Sequence, residues 1–330
     1  MTNDLELQSH RPAFLTPSNW RAIITRYRAP ALILVLAVLP WLLPSKALAV
    51  NILIYGLYAV GFNLLFGYTG LLSFGHAAFL GAGAYGCGIA IVHLGIGWLG
   101  AMILGVLASG VLAVLMGVLS IRSRGIYFSM VTLALGQLVY YIAYQATDWT
   151  GGENGLRGID ASSVGLGFGR ISLIDPIQKY YFVLVFVAAA LWILSRLLSS
   201  PFGAVIEAIR ENENRAQACG YNVRLVKLSS FILSGLFCGL AGSLSALHLT
   251  IVPINALHYH TSGLAVMMAL LGGMGSFVGP FVGAAVFLLI EDVFSVITSH
   301  WQLFAGTIFM LFVLFLPRGI WGTLVARGER

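Results

Sequence analysis

Two long stretches without charged residues constrain the fold of this chain most. Residues 51–120 and 228–290 contain no Asp, Glu, Lys or Arg, and each is long enough for about three helical crossings of a bilayer at roughly 20 residues per crossing. Over the whole chain only 9% of the residues are charged, whereas a soluble domain carries roughly a quarter. These features exclude a water-soluble fold, and we expect an integral membrane protein.

The apolar stretches lack the alternation that a membrane β-barrel requires. Strands of such a barrel are about ten residues long and alternate in polarity, but residues 101–119 are apolar at nearly every position. A helix satisfies its backbone hydrogen bonds internally, as lipid demands. The sequence therefore predicts an all-α fold, a polytopic bundle of transmembrane helices.

Apolar runs and the breaks between them predict about ten spans. The two short spans near glycines 272, 273 and 275 can also be interpreted as one broken helix or a re-entrant pair, so a count of eight stays open. The predicted spans are 31–49, 51–70, 72–93, 96–120, 125–145, 180–199, 228–250, 262–275, 277–293 and 302–317.

The positive charges predict the orientation, because cytoplasmic loops hold an excess of Lys and Arg. With the N-terminus inside, 14 of the 18 Lys and Arg residues lie on the cytoplasmic side. The opposite orientation would invert that ratio, so we expect both termini in the cytoplasm. Orientation also explains the net charge of +6 better than nucleic-acid binding does.

The chain divides into three predicted parts. We expect a cytoplasmic segment at 1–28, a transmembrane domain at 29–322 and a cytoplasmic tail at 323–330. A cleaved signal peptide is an alternative for the first span, because that run ends at Ala47-Leu48-Ala49, a small-residue pattern. About thirty polar residues precede the run, which is too long a leader for a signal peptide.

Two polar segments interrupt the spans. The outer one, residues 146–178, contains a glycine-rich sequence suited to turns. The inner one, residues 199–227, predicts an amphipathic helix with i, i+3, i+4, i+7 spacing, starting near Pro201 and ending near Gly220. Its apolar positions are Phe202, Val205, Ile206 and Ile209, and its charged positions are Glu207, Arg210, Glu211, Glu213 and Arg215. Such a helix is suited to dock another protein or to rest on lipid headgroups.

The spans lack the charged side chains that couple transport to an ion gradient. Carriers driven by protons or sodium usually keep ionisable residues in the bilayer interior. Here the only acids near a span interior are Glu291 and Asp292, at the outer end of the ninth span. Unwound backbone carbonyls can bind sodium, so a stand-alone carrier or channel stays as an alternative. We expect the energy for transport to come from another subunit.

The sequence shows no catalytic or cofactor-binding constellation. A nucleophile, a base and an orienting group do not cluster anywhere, and the chain has no Gly-x-x-x-x-Gly-Lys-Ser/Thr loop to hold phosphates. His258 and His260 have no cysteine or acid nearby, which argues against a metal site. We expect a protein that is not an enzyme and holds no cofactor or metal.

Glycine is concentrated in two segments, residues 67–88 and 272–283. Small residues let helices pack closely and also let the backbone line a path, and the two interpretations are compatible. We expect a translocation path bounded by Gly70, Ser73, Gly75, His76, Gly272, Gly273 and Gly275. For His76, a packed and hydrogen-bonded histidine is the alternative.

Five motifs follow one another along about residues 50–322. They are Gly61-Phe62-Asn63-Leu64-Leu65-Phe66-Gly67-Tyr68-Thr69-Gly70 running into Ser73-Phe74-Gly75-His76-Ala77-Ala78-Phe79; Arg124-Gly125-Ile126-Tyr127-Phe128; Thr150-Gly151-Gly152-Glu153-Asn154-Gly155-Leu156; Ala208-Ile209-Arg210-Glu211-Asn212-Glu213; and Leu316-Pro317-Arg318-Gly319-Ile320. In this order they resemble the permease subunits of branched-chain amino acid ABC transporters, specifically the longer of the two permease types that those systems pair. Leu71 departs from the pattern, since this family often has a polar residue there.

The resemblance implies an assembly in the bacterial inner membrane, in contact with membrane lipid. Its other members would be a second permease chain in a heterodimer, two cytoplasmic ATPase subunits and a periplasmic substrate-binding protein. The substrates would be leucine, isoleucine and valine. Permeases for urea or short amides share these motifs and are the alternative within the family.

The resemblance also implies roles for the two polar segments. The inner one is similar to the family's ATPase-coupling loop, with coupling residues Ile209, Arg210, Glu211, Asn212, Glu213, Arg215, Ala216 and Gly220. We expect one helix over 202–220 whose charged side chains are free to meet the ATPase, and whose small Ala216 allows close approach. The outer segment would contact the binding protein through Gly151, Gly152 and Glu153, or form a cap over the helix ends.

Overall fold

The computed structural model describes residues 17–43, 45–159, 163–165, 170–172, 175–297, 300–316 and 319–328. Helices make up nearly all of this part of the chain. They are α1 (Pro17–Leu42), α2 (Lys46–Asn63), α3 (His76–Val92), α4 (Trp98–Ser120), α5 (Ile126–Gln145), α6 (Thr147–Thr150), α7 (Pro176–Leu198), α8 (Pro201–Glu211), α9 (Glu213–Ala218), α10 (Val223–Leu249), α11 (Tyr259–Gly272), α12 (Gly279–Ile297), α13 (Trp301–Phe315) and α14 (Gly319–Gly328).

The predicted helical bundle is confirmed, with one small addition. Two three-residue strands in the outer segment, β1 (Ser163–Gly165) and β2 (Arg170–Ser172), pair antiparallel. A π-helical turn, Leu64–Tyr68, continues α2, and short 3-10 turns lie at Gly152–Asn154 and Ile254–Leu257. The first sixteen residues, parts of the outer segment, and Pro317 and Arg318 of the last motif lie outside the described residues.

Seven helices of the described chain are long and apolar enough to cross a membrane. They are Lys46–Tyr68, Trp98–Ser120, Ile126–Gln145, Pro176–Leu198, Val223–Leu249, Gly279–Ile297 and Gln302–Thr323. Three predicted spans correspond to shorter apolar helices: Ala29–Leu42 within α1, His76–Val92, and the 14-residue α11. The chain is thus a multi-pass helical membrane protein.

Two predicted boundaries are wrong, and a local cap explains each. The span predicted at 31–49 ends at Leu42, because the Ser45 side chain caps α2 by accepting from the backbone N–H of Leu48 over 3.3 Å. The helix predicted over 202–220 is two helices, because Asn212 is extended (φ −157°) and its side chain caps α9 by accepting from Arg215 N–H over 2.9 Å.

Helix α2 occupies the centre of the bundle. It packs against α7, α10, α11 and α12. Of the most apolar 18-residue stretch within Lys46–Tyr68, 89% is buried. Tyr58 and Phe62 on this helix are fully buried. A helix that is apolar on all sides is buried in a bundle, which agrees with the charge-free sequence around it.

Helices α3, α4 and α10 approach so closely that several of their glycines have no room for a side chain. A Cβ at Gly242 of α10 would collide with the carbonyl oxygen of Leu80, and one at Gly105 of α4 would collide with that of Gly83. The Ser243 hydroxyl donates to the Gly83 carbonyl over 3.1 Å. Small residues and serine bonds of this kind hold membrane helices together.

We predict that Gly242→Ala destabilises the chain, because backbone atoms of α3 cannot move aside cheaply. Overpacking of this kind typically costs about 1–3 kcal/mol. The measurement is the temperature at which the purified chain loses its folded, monodisperse state in detergent. Gly263→Ala on α11 is the matched control, because nothing lies within 4 Å of its added Cβ. Equal transition temperatures for the two variants would contradict the close-packing argument.

Candidate functional site

Helices α8 and α9 form a short hairpin attached to the bundle by their apolar face. Ile206 is fully buried against the main core, and Ile209 is 3% exposed in a small cluster with Ala216 and Val223. The half-buried Phe202 packs against the main core as well. The predicted apolar stripe on the inner segment is confirmed.

Ala216 packs inside this chain and not on its surface. Its side chain is 5% exposed and contacts the cluster of Ile209 and Val223. The expectation that this alanine leaves room for a partner is therefore wrong: the close approach it allows is that of α9 to α8 and the start of α10. Gly220 follows α9 with φ +89°, a left-handed conformation suited to glycine.

The charged residues of the hairpin divide into two groups. Arg210 and Glu213 are engaged within the chain, since Arg210 bonds to a backbone carbonyl and Glu213 pairs with Lys227 over 2.7 Å. The expectation that all four charged coupling residues are free is wrong for these two. Arg210 is nevertheless exposed, as are Glu207, Glu211 and Arg215, which have no such bond among the described contacts.

Arg210 lies against two of the candidate path glycines. Its Nη1 donates a hydrogen bond to the Gly67 carbonyl in the π-helical turn. A Cβ on Gly70 would lie 3.2 Å from Arg210 Cγ, and one on Gly275 would lie 2.9 Å from Arg210 Nη1. The structure thus brings a coupling residue, Arg210, against Gly70 and Gly275, which the sequence placed in the separate candidate path.

Asn63, which sequence reasoning missed, joins the end of α2 to the α11–α12 connection. Its Oδ1 accepts from the Gly275 N–H over 3.0 Å, and its Nδ2 donates to the Ser276 carbonyl over 2.9 Å. A Cβ on Gly67 would collide with this amide. A buried asparagine in an otherwise apolar helix was the available signal, since buried polar groups need partners.

The α2–α3 connection, which carries Ser73 and Gly75, is held by α5. The Phe74 N–H donates to Thr132 Oγ1 over 3.2 Å, and Ser129 Oγ donates to the Leu72 carbonyl over 2.6 Å. A Cβ on Gly75 would lie 2.6 Å from the Thr132 carbonyl oxygen. This close approach of two backbones explains the glycine at position 75.

His76 lies in the interior, at the first turn of α3. Its Nε2 lies 2.8 Å from Ser234 Oγ, and the Ser234 hydroxyl donates to the Gly61 carbonyl over 2.6 Å. Because the single hydroxyl hydrogen of Ser234 is used in the bond to Gly61, His76 Nε2 carries a hydrogen and donates it to Ser234 Oγ. The rings of Phe62 and Phe79 meet the imidazole edge-on. The histidine therefore ties α3 to α10, and through Ser234 to α2.

The α11–α12 connection contains Gly272, Gly273 and Gly275. Gly273 ends α11 with φ +114°, and Gly275 follows with φ +72°. Gly272 packs directly against the backbone of Gly279. All three glycines are required by backbone geometry or close contact.

The outer glycines shape a turn that is anchored to another part of the chain. Gly151 and Gly152 have φ of +75° and +55°. The Leu156 N–H donates to the Val252 carbonyl over 3.0 Å, and Val252 returns the bond over 2.9 Å. Gly152 is buried in the turn, whereas Glu153 is exposed at its tip.

The comparisons with known proteins agree on one family. Residues 46–316 match the family described as the permease component of the branched-chain amino acid transport system. The chain is 28% identical to the high-affinity branched-chain amino acid transport system permease protein LivM of Escherichia coli, over 94% of this chain and 78% of that protein. It is 24% identical to a probable LivM permease of Methanocaldococcus jannaschii, over 72% and 78% of the two chains.

More distant similarity extends to permeases of other import systems. The ribose import permease protein RbsC of Haemophilus influenzae is 27% identical over 46% of each chain. No solved structure matches. Because the family match spans most of the sequence and includes every candidate site residue, this chain belongs to the family of branched-chain amino acid transport permease components.

Proposed function

We propose that this permease component moves leucine, isoleucine and valine inward, as part of an ATP-driven importer in a bacterial inner membrane. The observation that carries the proposal is the family match along residues 46–316, together with LivM relatives similar over most of their length. The importer would contain a second permease chain, two ATPase subunits and a periplasmic binding protein. This chain would supply half of the path and would hydrolyse no ATP itself.

We place ten spans in the bilayer, with both termini in the cytoplasm. Each predicted span overlaps a helix of 14 residues or more. Of the three shorter apolar helices, α3 and α11 pack within the bundle, where a full crossing length is not required, and α1 lies at its edge with Leu34 and Trp41 exposed. In this orientation the α8–α9 hairpin faces the cytoplasm and the Leu156–Val252 bridge faces the periplasm. The segments around Gly70 to His76 and Gly272 to Gly275 bound the proposed path.

We propose that the α8–α9 hairpin docks an ATPase subunit. Its apolar face is already buried against this chain, while Glu207, Glu211 and Arg215 point to solvent. The charged surface is therefore available to a second protein. A purely lipid-facing helix would instead place its apolar face outward.

We further propose that the outer turn contacts the binding protein through Glu153. Gly151 and Gly152 maintain the shape of the turn and cap the helix ends. They thereby hold Glu153 in position for the contact. Loops that carry recognition are commonly presented by a rigid anchor, and the pairing with Val252 supplies one.

The energy source for transport can be tested in liposomes. The chain reconstituted alone in liposomes should show no concentrative leucine uptake, because it has no intramembrane charge arrangement to couple an ion gradient. The complete assembly with internal ATP and binding protein should accumulate labelled leucine. Accumulation by the chain alone under a sodium or proton gradient would instead identify a secondary carrier.

ATPase docking on the hairpin can be tested by charge reversal. The double variant Glu211→Arg with Arg215→Glu should weaken ATPase association by about tenfold or more, as expected when interface charges meet like charges. The measurement is the dissociation constant of the ATPase subunits for the permease pair in nanodiscs. Arg122→Glu, an exposed charge outside the hairpin, is the control and should bind normally. Unchanged binding in the double variant would assign the hairpin surface to solvent or lipid.

Contact of the outer turn with the binding protein can be tested by charge reversal at Glu153. Glu153→Lys should reduce the stimulation of ATP hydrolysis by liganded binding protein, because a reversed rim charge slows association. Basal hydrolysis without binding protein should stay at the wild-type rate. Full stimulation of the variant across a titration of binding protein would leave the turn with a capping role only.

A further inference from the structure

Arg210 is the one coupling residue that connects the hairpin to both candidate path segments. Resting on the proposed function of the α8–α9 hairpin, we propose that Arg210 is a positioning residue that transmits the movement of α8 to the end of α2 and to the α11–α12 connection. The coupling residues would then have separate tasks. Glu211 and Arg215 meet the ATPase, and Arg210 holds the path segments.

The geometry places the Arg210 side chain along two glycines. Cγ lies beside Gly70, and Nη1 lies beside Gly275. Both glycines have positive φ, +79° and +72°, so backbone conformation and lack of space each disfavour a larger residue at these positions. The arginine therefore lies in a groove formed by the backbone of two connections.

The electrostatics favour a cation at this position. The last carbonyls of a helix have no partners within it and form the negative end of its dipole. Arg210 donates to one of them, that of Gly67. Within the described residues Arg210 has no carboxylate partner, and the single ion pair there joins Glu213 and Lys227. The acceptor of the Arg210 hydrogen bond is thus a backbone carbonyl. Rotation of a side chain on the acceptor residue cannot break this bond.

Asn63 extends the linkage to a third element. Its two hydrogen bonds fix the α11–α12 connection to the end of α2, and Arg210 fixes α8 to the same place. Three elements far apart in sequence therefore share one polar junction. Displacing α8 displaces Gly70 and Gly275 together, provided that Arg210 stays in place.

The test uses the complete importer, with both permeases, the ATPase subunits and the binding protein, in liposomes. In Arg210→Met we expect leucine transported per ATP hydrolysed to fall by about tenfold or more, because a charge-assisted hydrogen bond is lost. Hydrolysis should continue and the ATPase subunits should co-purify. Arg210→Lys should recover part of the ratio, since an ammonium can reach the Gly67 carbonyl without spanning both glycines. Arg122→Met is the control and should keep the wild-type ratio, since Arg122 is exposed and lies outside residues 199–227.

Other outcomes separate this inference from the proposed function. A wild-type ratio in Arg210→Met would overturn the inference and leave ATPase docking intact. Loss of ATPase co-purification in Arg210→Met would also overturn it, because Arg210 would then be a docking contact. Failure of the ATPase subunits to bind the wild-type permease would refute the proposed function itself.

Hydrogen–deuterium exchange of the wild-type importer tests the junction if Arg210→Met cannot be recovered from membranes. Because Arg210 contacts both connections, the backbone amides around Gly70 and Gly275 should change their exchange together between the nucleotide-free and ATP-bound importer. A change around one glycine without a change around the other would overturn the proposal.

Discussion

The need to satisfy backbone hydrogen bonds away from water is the constraint on which the rest of this structure depends. Within the spans the helices meet it themselves. Where the helices break, side chains from distant parts of the sequence supply the partners: Thr132 and Ser129 at the α2–α3 connection, Arg210 at the π-helical turn that ends α2, and Asn63 at the α11–α12 connection. Some of the buried polar side chains, such as Asn63 and Thr132, are therefore explained by the breaks, and others, such as Ser234 and Ser243, bond between helices.

Much of the fold could be predicted from the sequence, because lipid leaves an apolar segment few alternatives. The runs around Ala101 to Leu119 and along α10 identify their helices directly. The errors arose where a single polar side chain decides between continuing a helix and restarting it. Ser45 and Asn212 both restart one. Their patterns are visible in the sequence but compete with the apolar periodicity on either side, which favours one uninterrupted helix.

The candidate site was only partly predictable, since the motifs identify segments and not the direction of each side chain. The inner segment, the glycine connections and the outer turn were all found. Which polar side chains bond to distant backbone could not be predicted, because Arg210 and Gly67 are 143 positions apart and Asn63 and Ser276 are 213 apart. Ala216 shows the same limit: a small residue indicates close approach, but sequence alone does not say to what.

The glycine and serine contacts among α3, α4 and α10 have a mechanical consequence. Where helices meet through backbone atoms, there are few side-chain rotamers to exchange, so the interface has no alternative packing into which it can slide. Such a unit is stiff, and deformation is confined to the connections around it. In a transporter with this packing, conformational change is confined to a few short segments of irregular backbone. Helices α3, α4 and α10 then move together as one rigid body.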